Sequence, residues 1–411
     1  MSGAAHIKNN IPKLRFSSYE NDWQERRLEN IVSFNRGRGL SKNDVNKEGH
    51  NSCILYGELY TKYGEVITKV ISKTNVSRAN SLESHKDDLL IPSSGEEALD
   101  IARVSCLKEE GTLLGGDINV LRKIESISGE FFAYYLTSYQ KRNIAKLAQG
   151  NSVVHLHASH LKKLKIHIPD FLEQQKIADF LQSVDRWIDN LRAQKESWEK
   201  YKKGMMQKIF SQEVRFKDDN GYSFPDWRMV KLSSFLIERN EKAPKSDQYP
   251  LMAFVAYKGV TSKGERYNRE FLVNDTDNKQ YKRTEFGDII YSSNNLETGS
   301  IGLNRFGSAC ISPVYSIFKV GQSCDFQFMS SYLVRKNIIN KMVRYRQGVV
   351  YGQWKIRESD FLKIEVKIPS IKEQKKIADY LKSIDNIGET KEKQIEYANQ
   401  WKKGLMQQMF V

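Results

Sequence analysis

No run of eighteen or more apolar residues occurs in the 411-residue chain, so the sequence offers no ordinary membrane-spanning helix. The opening MSGAAHIKNN has no apolar stretch of the kind a secretory signal carries. A cytoplasmic protein is therefore expected. Cysteine is scarce, and Cys53, Cys106, Cys310 and Cys324 lie far apart. Without close pairs they suggest neither a zinc ribbon nor a disulfide framework and read as reduced packing residues. No GxxxxGK[ST] loop and no GxGxxG after a strand is present, which argues against nucleotide binding. Segments of the Asn-Pro-Pro-Tyr or Asp-Pro-Pro-Tyr type, which would grip a flipped base, are missing too. Lone acidic residues beside strand-like runs, Asp288 and Glu365, fall short of a nuclease centre, which needs several placed carboxylates and a metal. No catalytic group, metal or cofactor is expected in this chain.

What the chain does have is positive charge and a repeat. Lys+Arg number 65 against 50 Asp+Glu, a formal charge of +15. That excess is the footprint of a polyanionic partner. EQQKIADFLQSVD at Glu173 to Asp185 returns as EQKKIADYLKSID at Glu373 to Asp385. From the preceding proline to the last aspartate, about ten of seventeen positions are identical, which marks a duplicated module. Upstream, LKIHIP faces IEVKIP, each an alternating strand stopped by proline. Downstream, KKGMMQKIF (Lys202 to Phe210) faces KKGLMQQMF (Lys402 to Phe410). Farther out, Arg15-Phe16 with Asp22-Trp23 is echoed by Arg215-Phe216 with Asp226-Trp227, and DDLLIPSS by GDIIYSSN.

Each copy thus reads as a mixed domain followed by a helix. Helical signals at Phe131 to Ala148 and Phe328 to Tyr345 hold matching places before Gln149-Gly150 and Gln347-Gly348. From Phe171 to Phe210 apolar residues recur at seven-residue steps through Ile177, Val184, Leu191, Trp198 and Met205, the seam of a coiled coil. The second copy keeps the seam at Ile377, Ile384 and Leu405 but weakens at Lys391. Antiparallel pairing of the two helices is expected, because the second begins where its domain ends and can run back along the first. A forty-residue helix spans about 60 Å. The expected architecture is α+β, with two similar globular domains separated by two long helices in an antiparallel coiled coil of pseudo-twofold symmetry. The boundaries are 1–168, 169–212, 213–368 and 369–411.

This combination resembles the specificity subunit of Type I restriction-modification systems, and the resemblance covers almost the whole chain. PKLRF with its following tryptophan, VRF…GYSFPDW, the two IPxxxEQxKIADxLxSxD phrases and the two KKGxMQxxF helix ends carry it. The resemblance implies a non-catalytic subunit whose two target recognition domains read the halves of an asymmetric, split sequence in double-stranded DNA. It further implies two modification subunits, which bind S-adenosylmethionine and methylate adenine, and two motor-nuclease subunits using ATP and Mg. A free-standing, two-headed DNA-binding regulator is the alternative.

Candidate DNA contacts in the first domain are Arg36 and Arg38, after a helix-like N-terminal segment, and Lys62 and Tyr63 in a turn-like TKYGE. In the second they are Lys258, Lys263 and Arg266, with Arg344, Arg346, Gln347, Lys355 and Arg357 around the loop after the long helical signal. The two loops after Gln-Gly are favoured: they hold equivalent places but differ in content. One offers Asn151, Ser152, His155 and His157; the other offers Tyr351, Gln353, Trp354 and Lys355. Metal binding by His155, His157 and His160 is not expected, since no acidic residue or cysteine accompanies them and the matching segment has no histidine. The repeated polar residues at the helix starts, Glu173, Gln174, Lys176 and Asp179 with Glu373, Gln374, Lys376 and Asp379, are expected to dock partner subunits.

Overall fold

The computed structural model describes residues 10–256, 258–262, 279–348 and 354–411. The chain divides into two compact units, Met1–Gln194 with Lys391–Val411, and Lys195–Thr390. Two long helices, Phe171–Phe210 and Ile371–Met409, each contribute one half to each unit.

In the first unit, strand Gln24–Arg27 runs antiparallel to Lys165–Ile168, with Gln24 opposite Ile168. The N-terminal segment expected to be helix-like is extended, followed only by a 3-10 turn at Leu28–Asn30. Backbone pairing with the β-branched edge, and the 2.8 Å ion pair between Lys165 and Glu25, override its local helix preference. A five-stranded sheet follows in the order Val32–Arg36, Ile118–Lys123, Asp88–Pro92, Ser105–Leu107 and Val66–Ile67. Every residue of Asp88–Pro92 is buried. The helical signal over 131–148 resolves into Gly129–Ser138 and Lys141–Lys146. Between them Gln140 is buried and donates its amide to the Tyr135 hydroxyl at 2.9 Å, so the chain turns to satisfy a buried polar group.

The second unit repeats the frame. Arg228–Lys231 pairs antiparallel with Glu365–Ile368, and a four-stranded sheet runs Leu236–Glu238, Ser316–Val320, Ile289–Tyr291, Ile301–Leu303. Its helical signal also splits, into Phe326–Leu333 and Lys336–Val343. At the break the Arg335 guanidinium lies 4.0 Å from the Tyr332 ring centroid and 4.6 Å from that of Phe210.

Within each unit the helix halves run antiparallel. In the first, Ile177, Leu181, Val184 and Ile188 share a core with Ala398, Leu405 and Met409. Trp401 meets Phe180 and Trp187 at 6.4 and 6.1 Å. In the second, the Tyr201 and Tyr380 hydroxyls are 2.8 Å apart, and Lys202 pairs with Asp385. The weak point of the seam is a polar layer: Lys391 Nζ donates to Gln194 Oε1 at 2.7 Å. Such a layer sets register at some expense of stability.

Candidate nucleic-acid interface

The start of each long helix is consumed by its own unit. Arg15 donates two bonds to the Glu173 carboxylate, at 2.7 and 2.8 Å, with side-chain exposures of 9% and 0%. Arg215 does the same to Glu373 at 3.2 and 2.9 Å, with exposures of 24% and 1%. Paired, bidentate geometry is what allows a carboxylate to be buried there. The adjacent glutamines repeat as closely. Gln174 accepts from Ser128 N–H at 3.0 Å and donates to the Pro169 carbonyl at 2.9 Å; Gln374 accepts from Asp325 N–H and donates to the Pro369 carbonyl, both at 2.9 Å. Ser128 and Asp325 in turn cap the helices that follow them. Glu173, Gln174, Glu373 and Gln374, expected to face a partner subunit, are therefore buried structural groups. Lys176, Asp179 and Asp379 are exposed and Lys376 half-buried; Lys376 is tied to the Lys217 carbonyl and Asp219.

The repeated KKGxMQxxF ends also have structural work. Phe410 sits 5.7 Å from Phe131, 5.5 Å from Tyr135 and 6.4 Å from Trp23. Phe210 meets Phe328 at 5.9 Å and Tyr332 at 5.6 Å in the other unit. Lys402 bonds Asp185 at 2.6 Å and Glu65 at 3.0 Å, while the Tyr134 hydroxyl donates to Asp185 at 2.6 Å. Burial pushes the Glu65 carboxyl up, but the Lys402 charge and hydrogen bond outweigh it and hold it below the ordinary carboxylate range.

Four separate segments of the first unit surround a cleft of about 280 Å³. Phe34, Asn35 and Arg36 line it with Ser93, Asn119, His155 to Ala158 and Lys162. Backbone pairing explains the assembly. Val120 lies opposite Asn35 on the sheet, Val154–His155 pairs with Ser94–Gly95, and the buried Asn119 amide donates to the Leu156 carbonyl at 2.9 Å. The Lys162 ammonium lies 5.7 Å from the Phe34 ring centroid. Arg36 spends one Nη on Asp117 at 2.8 Å, and His155 Nδ1 lies 3.0 Å from Ser94 Oγ. Among the described residues the buried hydroxyl of Ser93 has no hydrogen-bond partner.

Arg36, His155 and His157 are thus brought together from positions about 120 residues apart. Asn35, Ser93, Asn119 and Lys162 belong with them and were not singled out by sequence. A signal existed for Ser93, which stands in the repeated DDLLIPSS phrase. Arg38, Asn151 and Ser152 are exposed but do not line the cleft. Lys62 is exposed and paired with Glu58 at 2.6 Å. Tyr63 is buried, its hydroxyl accepting from Ile71 N–H at 2.9 Å, so it is a core residue and not a DNA contact.

In the second unit the equivalent strand, Trp354–Ile356, forms a hairpin with Arg346–Gly348. Ile356 N–H donates to Ser293 Oγ at 3.0 Å, whereas in the first unit Leu156 N–H uses the Ser93 carbonyl at 2.9 Å. Lys355 and Arg357 are exposed at the places of His155 and His157. Lys258, Arg344, Gln347 and Trp354 are exposed as well. Arg346 is held bidentately by Glu297 at 2.6 and 2.7 Å. Lys263, Arg266, Tyr351 and Gln353 lie outside the described residues.

The acidic groups are structural. Asp88 begins one buried strand and Asp288 immediately precedes its equivalent, each accepting a backbone N–H three residues back and an arginine, Arg122 or Arg239. Burial holds both carboxyls above their ordinary value. Among the described residues one group, Asp87, Cys106 and Glu130, brings three potential ligand atoms within 4.8 Å of one another. The Lys108 ammonium bonds both of those carboxylates, so the chain supplies its own cation there. Among the described residues no helix is long and apolar enough to cross a membrane.

Comparison with known proteins adds a family. The model of the Type I restriction modification DNA specificity domain matches residues 20–199 and 225–397. The type I restriction enzyme MjaVIII specificity subunit of Methanocaldococcus jannaschii is 25% identical, over 94% of this chain and 91% of its own. Two solved structures share the fold. The Type-I restriction-modification S subunit from M. genitalium has a TM-score of 0.58 at 18% identity, covering 98% of this chain and 99% of that one. A chain from a structure concerned with complex assembly and conformational transition of the type I R-M system has a TM-score of 0.56 at 13% identity, covering 94% and 97%.

Proposed function

Because the chain belongs to the Type I restriction modification DNA specificity family, we propose that its two units read the unlike halves of one split, asymmetric DNA sequence and hold adenine-methylating subunits on it. It is a specificity subunit and performs no chemistry itself. The observation that carries the bipartite reading is a shared frame with unlike side chains. In both units the strand's N–H is bonded to the repeated serine, Leu156 to the Ser93 carbonyl and Ile356 to the Ser293 hydroxyl. The exposed residues beside it change from His155 and His157 to Lys355 and Arg357. Such a pair presents different donors to base edges and phosphates in one geometric setting. A formal charge of +15 supplies the sequence-independent attraction.

Two modification subunits would bring S-adenosylmethionine, and two motor-nuclease subunits ATP and Mg. The exposed aromatic and charged positions of the helix pair, including Lys176, Asp179 and Asp379, are the natural docking surface. The test is single-molecule sequencing of adenine methylation in cells carrying this chain with its modification partner. A split motif modified on both strands is expected. Replacing residues 12–168 by another subunit's first domain should change one half of that motif and leave the other; a change in both halves would refute the assignment.

A further inference from the structure

The concave part of the first unit's cleft has the wrong shape for reading base edges. Base readout in duplex DNA calls for side chains that project into a groove. This feature is concave, about 280 Å³, and a backbone phosphate is the part of a duplex that protrudes. Its chemistry agrees. Arg36, Lys162, His155 and His157 line it together with Asn35 and Ser93, and no carboxylate lines the cleft among the described residues. Arg36 has five N–H donors, of which Asp117 takes one. An exposed pair of that kind is worth little and yields readily to a second anion.

The independent observation is the Ser93 hydroxyl. It is only 7% exposed as a residue and unpartnered, although a buried hydroxyl without a partner is costly. Its counterpart Ser293 has no such vacancy, because Ile356 N–H takes it at 3.0 Å. In the first unit the strand bonds the Ser93 backbone carbonyl, which leaves the side chain uncommitted at the cleft wall. We infer that the first unit's cleft is a phosphate clamp for the DNA backbone, with Arg36 and Lys162 supplying charge and Ser93 a neutral hydrogen bond. The inference rests on the DNA-binding reading above. It concerns Arg36, Lys162 and Ser93; His155 and His157, which are exposed as well as lining the cleft, keep the role given them above.

The test uses the full chain assembled with its modification partner, binding a target duplex and an unrelated duplex across a salt series. Arg36→Ala and Lys162→Ala should each weaken binding to both duplexes by the same factor, about tenfold. The slope of log affinity against log salt should fall by about one for each contact removed. Arg36→Lys should recover most of the loss, separating lost charge from misfolding, and the methylated motif should not change. An altered base preference in one half of the motif would overturn the clamp in favour of base readout. Unchanged affinity and salt slope would overturn it outright, as would failure of Arg36→Lys to rescue. If the parent complex showed no preference for any sequence, the proposed function would fall, while uniform salt-dependent losses in the variants would still report the clamp.

Discussion

Changing Glu173 to Gln leaves the side chain's shape intact but removes the charge that Arg15 was buried against. The Arg15 side chain is 9% exposed and, among the described residues, has besides Glu173 only the Asn21 carbonyl at 2.6 Å. Breaking a buried pair by removing one partner costs about 3–5 kcal/mol, most of it for the charge left behind. Arg215 is more exposed and has the Phe224 and Pro225 carbonyls and Asp226 as further acceptors. Glu373→Gln should therefore cost less, about 1–2 kcal/mol. Amide hydrogen exchange resolves the two because they belong to different units. In Glu173→Gln, peptides covering 12–27 and 165–180 should exchange roughly 100- to 4,000-fold faster, at about 1.4 kcal/mol per factor of ten. Residues 214–231 should keep the parent rate. Replacing both partners by apolar residues, Arg15→Met with Glu173→Leu, should do less damage than Glu173→Gln alone. Exchange within threefold of the parent in Glu173→Gln, or equal acceleration in both units, would refute this account of the helix starts.

Two further outcomes test other links. Phe410→Ala removes a ring packed against three aromatics and should destabilise the first unit by about 3 kcal/mol; limited proteolysis should cut the 391–411 segment first and spare residues 195–390. Lys402→Met should lower stability at neutral pH by about 3 kcal/mol, the lower end of what breaking a largely buried charge pair costs. Glu65 is held below its ordinary value of 4.5, so the stability it contributes is complete above that value and lost as pH falls through the lower folded value. The difference between Lys402→Met and parent, followed by urea denaturation, should therefore shrink steadily below about pH 4.5.

Local pattern carried the helices and the closing strands. A seven-residue apolar rhythm requires no knowledge of distant residues, and it marked a helix within 169–212, where the structure has Phe171–Phe210. The polar letters of the same phrase were misleading for a physical reason. Glu173 and Gln174 look like surface because charge and amide usually face water, and their burial depends on Arg15 and Ser128, 158 and 46 residues away. Arg215 and Glu373 stand at the same separation of 158, so the duplicated spacing held a clue that single phrases did not. Tyr63 failed similarly: TKYGE has the composition of a turn, but the ring belongs to a core assembled from Ile54, Leu90 and Leu114. The cleft was half legible, since Arg36 and the histidines are conspicuous, whereas Asn35, Ser93 and Lys162 gain meaning only from strand register.

The repeated arginine–glutamate clasp also bears on how such a chain can change over generations. Each clasp brackets its globular segment, one partner before the first strand and the other after the last. The unlike residues beside the repeated serine, His155 and His157 against Lys355 and Arg357, lie between the two clasp residues. A genetic exchange with both junctions outside them would deliver an intact fastener with its cargo. An exchange with junctions inside would meet a resident fastener of the same type. Either way the incoming segment is tied down by a bond it did not have to evolve, so a whole globular segment can be inherited at once.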